Sequence, residues 1–156
     1  MLRSRAANSF RTRLLEAPVF AGCTSKQLDA IEGLVTQISR PAGYVMTRQG
    51  FIGNECFVLL KGEAVVERNG ALIAHADSGS VLGELALMGE PTRTATVIAT
   101  TDVDLLAMSR REFSSLRALR ITSVEHHLTA VAAERGVALA QRIASEPCEV
   151  SEQRTA

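Results

Sequence analysis

The residues that could do chemistry lie in one stretch, "LGELALMGEPTRTATV" at residues 82–97, where a carboxylate, Glu84, follows a glycine and a lone arginine, Arg93, stands among threonines and alanine. "ELALM" suits one turn of helix, and the unpaired amides that open such a turn, those of Leu85 and Ala86, favour an anion. Gly83 lets the backbone approach closely. Arg93, reached after the turn "GEP", can return to the same spot with a planar fork of donors for two phosphate oxygens, and Thr94 adds a hydroxyl. Ionised Glu84 is a pure acceptor, so its partners are hydroxyl groups such as those of a ribose. A phosphate and a sugar hydroxyl held side by side point to a nucleotide. The competing arrangement is a structural salt bridge between Glu84 and Arg93. The small residues around them, Gly83, Ala86, Thr94 and Ala95, weigh against it.

The rest of the chain narrows the classes. Its 156 residues fit one domain around a single core. Basic and acidic residues balance at 17 each, so no overall cationic field exists to hold a nucleic acid. Cys23, Cys56 and Cys148 lie far apart at no metal or redox spacing, and no secretory leader is evident, which predicts a reducing, cytoplasmic setting. The four arginines of Met1 to Arg13 belong to an amphipathic first helix rather than a targeting peptide. No apolar run approaches the ~20 residues that cross a bilayer. His126 and His127 are adjacent on a helix and point apart, and His75 is alone, so neither a metal site nor a metal-dependent jelly-roll enzyme is expected. The cysteines read as small buried hydrophobes, and Arg110, Arg111, Arg117 and Arg120 as a solvated or docking surface.

The elements that must position Glu84 and Arg93 run helix, many short strands, helix. N-terminal helices are expected over 8–35. The first runs from about Asn8 to Glu16, and the second runs from a capping box of Thr24 and Gln27, with Cys23 and Leu28 as a small staple, to about Val35. Over about 37–108, glycines recur between short β-rich runs, the pattern of a closed antiparallel barrel or jelly roll. "VVERNGALI" is its best hairpin, with Asn69-Gly70 suited to a type I′ turn. "VIATTDVDLLAM" reads as a further strand region, Val103, Leu105 and Ala107 alternating with Asp102 and Asp104. C-terminal helices are expected over 109–145. They begin at a capping box of Ser109 and Glu112 and continue with Val124, Leu128, Val131, Ala138 and Leu139 on one face, Gly136 as a hinge and Pro147 as a stop. Residues 146–156 are a polar tail, so 1–156 reads as a single domain.

The same residues carry a known signature. Leu82-Gly83-Glu84-Leu85-Ala86-Leu87, followed by Arg93-Thr94-Ala95-Thr96-Val97 and Ala99, resemble the phosphate-binding cassette of the cyclic nucleotide-binding domain family, whose fold is a β-barrel flanked by helices. "APVFAGCTSKQLDAI" and "QGFIGNECFVLLKGEAVV" are similar to the family upstream, and the resemblance covers about Leu14 to Arg117. Phe51 and Cys56 depart from the usual residues, and Thr92 separates Pro91 from Arg93, which alters the loop path.

The resemblance implies a ligand, adenosine or guanosine 3′,5′-cyclic monophosphate (cAMP or cGMP). Glu84 would take the ribose 2′-hydroxyl and Arg93 the cyclic phosphate, with Gly83, Leu85, Ala86, Thr94 and Ala95 completing the cradle. Thr94 leaves the base open, the adenine ligand being preferred only as the commoner one. The helix over Val124 to Arg135 would be the lid whose movement informs a protein effector. No catalysis, cofactor, membrane span or nucleic acid is implied, and the last helix offers a weakly patterned face for a homodimer. A second reading keeps the fold and makes it an interaction domain with a vestigial pocket.

Overall fold

The computed structural model describes residues 10–84, 87, 92–130 and 133. Helix α1 occupies residues 10–16, a 3₁₀ turn Pro18–Phe20 and helix α2 Ser25–Glu32. The strands are β1 Thr36–Arg40, β2 Val45–Thr47, β3 Glu55–Lys61, β4 Ala64–Arg68, β5 Ala71–Ala76, β6 Val81–Leu82, β7 Thr96–Ala99 and β8 Val103–Ser109. Helices α3, Arg110–Ala118, and α4, residues 122–130, follow.

The strands pair antiparallel in two four-stranded sheets, β1-β8-β3-β6 and β2-β7-β4-β5. A closed antiparallel barrel or jelly roll is the expectation; among the described residues no ladder joins the two sheets, so two sheets and not a closed barrel are seen. They meet through side chains instead. Phe57, Leu59, Leu82, Val103 and Leu105 of the first sheet form one core with Met46, Ala64, Ala76, Val97 and Ala99 of the second.

In the first sheet β3 is buried on both faces, which is why it reads "CFVLL" without alternation. Cys56, Val58, Leu106 and Met108 point away from the second sheet, into a core with Leu14, Phe20, Leu28, Ile31, Phe113, Leu116, Val124 and Leu128 from the flanking helices. The alternation expected for β8 accordingly describes only its inward half. Its other half is apolar because helices cover it.

Local signals translate directly. Thr24 Oγ1 accepts from Gln27 N (3.2 Å) while Gln27 Oε1 accepts from Thr24 N (2.9 Å), and Ser109 and Glu112 repeat the box at α3. Cys23 packs against the helical core that contains Leu28. Asn69 and Gly70 both take positive φ, 52° and 78°, as a type I′ turn requires. Helix α2 ends at Glu32, short of the expected Val35, because Gly33 caps it and Thr36 already pairs with Ala107 of β8. "VIATTDVDLLAM" is two strands: Thr100 N donates to the Glu63 carbonyl (2.9 Å) and Thr101 Oγ1 accepts from Glu63 N (3.0 Å), holding the turn between β7 and β8. Arg13 pairs with Asp104 (3.1 Å), tying α1 to β8.

Candidate functional site

The segment that carries Arg93 is placed by a partner loop. Gly50 N donates to the Arg93 carbonyl (2.9 Å), Arg93 N to the Phe51 carbonyl (2.8 Å), and Ile52 bridges Thr92. Gly50 makes the necessary turn at φ 82°. Arg93 thus leaves the second sheet just before β7, and its side chain crosses to the first. There Nη1 donates to the Gly83 carbonyl (2.9 Å) and Nη2 to the Glu55 carbonyl (2.5 Å), two acceptors brought together because β3 and β6 are neighbours.

Two glycines make room for the guanidinium. A Cβ at Gly53 would overlap the Nε, Cζ and Cδ atoms of Arg93, and one at Gly83 would stand 2.5 Å from Nη1. Arg93 is 8% exposed, and no ion pair of its own is among those formed by the described residues. Both its acceptors are neutral carbonyls. Among the described residues, two of the five N–H donors of the guanidinium are engaged.

The site is electrostatically tight. Burial pushes the Arg93 guanidinium below its ordinary value; Cys56 and Glu55 oppose the shift, Arg110 adds to it, and Glu84 opposes it least. Burial also raises the Cys56 thiol to about 12, with Glu84 acting in the same sense and Arg93 against. Glu84 has no exposed surface, and its carbonyl accepts from Leu87 N (3.0 Å). A wholly buried carboxylate and a nearly buried guanidinium are unusual neighbours unless each has a task.

Of the predicted cradle, Gly83, Glu84 and Arg93 come together. Ala95 is half-buried and its carbonyl accepts from Thr47 Oγ1 (2.9 Å), while Thr94 is exposed beside it. Leu85 and Ala86 lie outside the described residues, as do Val131, Gly136, Ala138, Leu139, Pro147 and the homodimer face they would build.

Reasoning from residue types missed three groups. Glu55 contributes only a carbonyl, which no side-chain pattern announces. Gly53 was visible as a glycine at family spacing, but its contact with Arg93 was not. Arg110, the first residue of α3, donates from Nη2 to the Gly53 carbonyl (3.1 Å) and from its backbone N to Asn54 (2.8 Å), joining that helix to the loop behind Arg93. Arg110, Leu87 and Phe113 also line a groove of about 1120 Å³ between α3 and α4. Among the described residues no group of three or more His, Cys, Asp or Glu could hold a metal ion, and no helix is long and apolar enough to cross a membrane.

Comparison with known proteins gives this arrangement its class. A family model described as "cyclic nucleotide-binding domain" matches residues 37–120, and the chain belongs to that family. It is 33% identical over 116 residues to a cAMP-dependent protein kinase regulatory subunit of Schizosaccharomyces pombe, covering 70% of this chain and 28% of that protein. It is 35% identical over 91 residues to a cGMP-dependent protein kinase of Caenorhabditis elegans, covering 58% of this chain and 12% of that one. The chain therefore spans a minor part of these relatives. Among solved structures it resembles the catabolite activator protein of Thermus thermophilus, with a TM-score of 0.69 and 26% identity over 81% of this chain and 61% of that one.

Proposed function

We propose that this chain is a regulatory module that binds a cyclic nucleotide, cAMP or cGMP, and passes the event to an effector through its C-terminal helices. The observation that carries the reading is Arg93: a buried guanidinium, cradled by two glycines and two carbonyls, without a carboxylate partner among the described residues. Burying such a charge is unfavourable unless an anion completes it. A cyclic phosphate supplies that anion, and Glu84 then accepts from the ribose 2′-hydroxyl. Leu85 and Ala86 offer amides to the phosphate, and Gly83, Thr94 and Ala95 shape the wall. The two sheets complete a jelly roll around the ligand, with 1–156 as one domain.

Arg110 gives a route for the signal, since it touches both the loop behind Arg93 and the groove beside α4. The module is proposed to regulate another protein and to perform no catalysis itself. Thermal unfolding with and without cAMP, cGMP and the acyclic 5′-AMP tests the reading. A ligand at 100-fold its Kd adds about 2.7 kcal/mol to stability. A rise in Tm with a cyclic nucleotide, and none with 5′-AMP, is expected. No shift with either cyclic nucleotide at millimolar concentration would leave the interaction-domain reading.

A further inference from the structure

Helices α3 and α4 each turn one face toward the groove of about 1120 Å³ between them. Arg110 and Arg117 stand seven residues apart on α3, so they share a face, about 10 Å from each other along the axis. Arg120, in the turn after α3, adds a third cation, while Glu125 and His126 line the groove from α4. Leu87 and Phe113 supply apolar surface. Among the described residues that line it, three arginines stand against one carboxylate. The groove is therefore basic in a chain whose basic and acidic residues balance at 17 each.

Two of these arginines show what the groove takes. Arg117 Nε and Nη2 donate to the two carboxylate oxygens of Glu125, each at 3.1 Å, so a carboxylate from the facing helix already sits on this cation. The Arg117 side chain is 45% exposed, and an incoming carboxylate can reach it and compete. Arg120 has φ 51°, the left-handed region that the residue after a helix C-cap usually enters as glycine or asparagine. An arginine there strains the backbone and ends the helix no better than glycine would. Its exposed side chain at the groove supplies a reason for it.

We propose that this groove is a docking site for an acidic peptide segment of a partner protein. Glutamates or aspartates of an amphipathic stretch meet Arg117 and Arg120 within the positive field that Arg110 reinforces, and an apolar side chain packs on Leu87 and Phe113. The volume exceeds the roughly 300–1,000 Å³ of a small-molecule cleft and suits a length of chain. A nucleic acid would use the cations and leave the apolar surface uncovered, whereas an amphipathic peptide uses both. The inference does not draw on the cyclic nucleotide reading of Arg93 and Glu84, and docking is measured without nucleotide, so either can fail alone.

The test is fluorescence anisotropy of the full chain with a labelled peptide in which leucines at helical spacing stand among glutamates. The same peptide with glutamines, and a single-stranded oligonucleotide, are the comparisons. Saturable binding of the glutamate peptide, weakened by added salt, and none of the glutamine peptide is expected. Arg120→Gly should lower the affinity by about 2- to 5-fold, the value of an exposed ion pair, without lowering the urea midpoint. Glu125→Gln should raise the affinity by a similar factor, because Arg117 loses its internal competitor; a purely structural pair predicts no gain. No binding of the glutamate peptide, equal binding of the glutamine peptide, tighter binding of the oligonucleotide, or an affinity that either substitution leaves unchanged overturns the proposal. A wild type that sediments as a dimer, and as a monomer in Arg120→Gly, would make a second copy the occupant and overturn it likewise.

Discussion

Gly53→Ala isolates the geometry of the arginine from its chemistry. Gly53 does not use the left-handed backbone region, so alanine is conformationally tolerated there, and by itself would gain about 0.4–1 kcal/mol through the unfolded chain. Its Cβ, however, would overlap the Arg93 guanidinium, and the side chain must leave its place. The displaced group gives up its bonds to the Gly83 and Glu55 carbonyls and its aim at the ligand. A charge-assisted hydrogen bond contributes about 1.5–3 kcal/mol, so loss of one to the cyclic phosphate weakens binding roughly 10- to 150-fold. Competition against a fluorescent cyclic nucleotide reads the affinity, and urea unfolding reads the stability. Reduced affinity is expected, together with a stability about 2–5 kcal/mol below wild type, since two buried carbonyls lose their charged donor. Wild-type affinity in the alanine variant would refute the claim that Gly53 holds Arg93 in a binding position.

Further outcomes follow from the same geometry. Glu84→Gln exchanges a charged acceptor for a neutral one and should weaken cyclic nucleotide binding by about 10-fold, less than Arg93→Ala, in the same competition assay. The Cys56 thiol is raised from 9.0 to about 12, so the folded protein keeps a proton that the unfolded chain releases first. Its stabilisation is full below pH 9 and is lost as pH rises toward 12. Urea midpoints at about pH 8 and pH 10.5 should fall less for Cys56→Ala than for wild type, and equal falls would contradict the burial argument. Gly70 and Gly62 both have positive φ, but only at Gly62 would a Cβ also meet main chain, at the Asp102 carbonyl. Gly70→Ala should therefore cost about 1–2 kcal/mol by chemical denaturation and Gly62→Ala clearly more.

How much of this was legible depends on the range of the interaction. The two capping boxes and the Asn69-Gly70 turn are short-range, and each appears where its residues stand. The end of α2 was misplaced because Val35 fits a helical pattern locally and is withdrawn from it by pairing of β1 with β8, far along the chain. Sheet closure is likewise a long-range property that glycine spacing does not encode. At the candidate site, Glu84, Gly83 and Arg93 stand out by type and spacing. The acceptors that hold Arg93 do not, since a carbonyl is the same whichever residue bears it. Cys56 looked like a packing departure; its neighbourhood to Glu84 and Arg93 emerges only when β3 lies beside β6.

The central claim is that Arg93 exists to bind a cyclic phosphate. Isothermal titration of the wild-type chain and Arg93→Ala with cAMP and cGMP tests it most directly. Saturable binding of at least one nucleotide by the wild type, weakened by about 30-fold or more in Arg93→Ala as expected when a buried charge loses its partner, is the predicted result. Equal affinity in the two proteins, or no binding by a folded wild type, would contradict it.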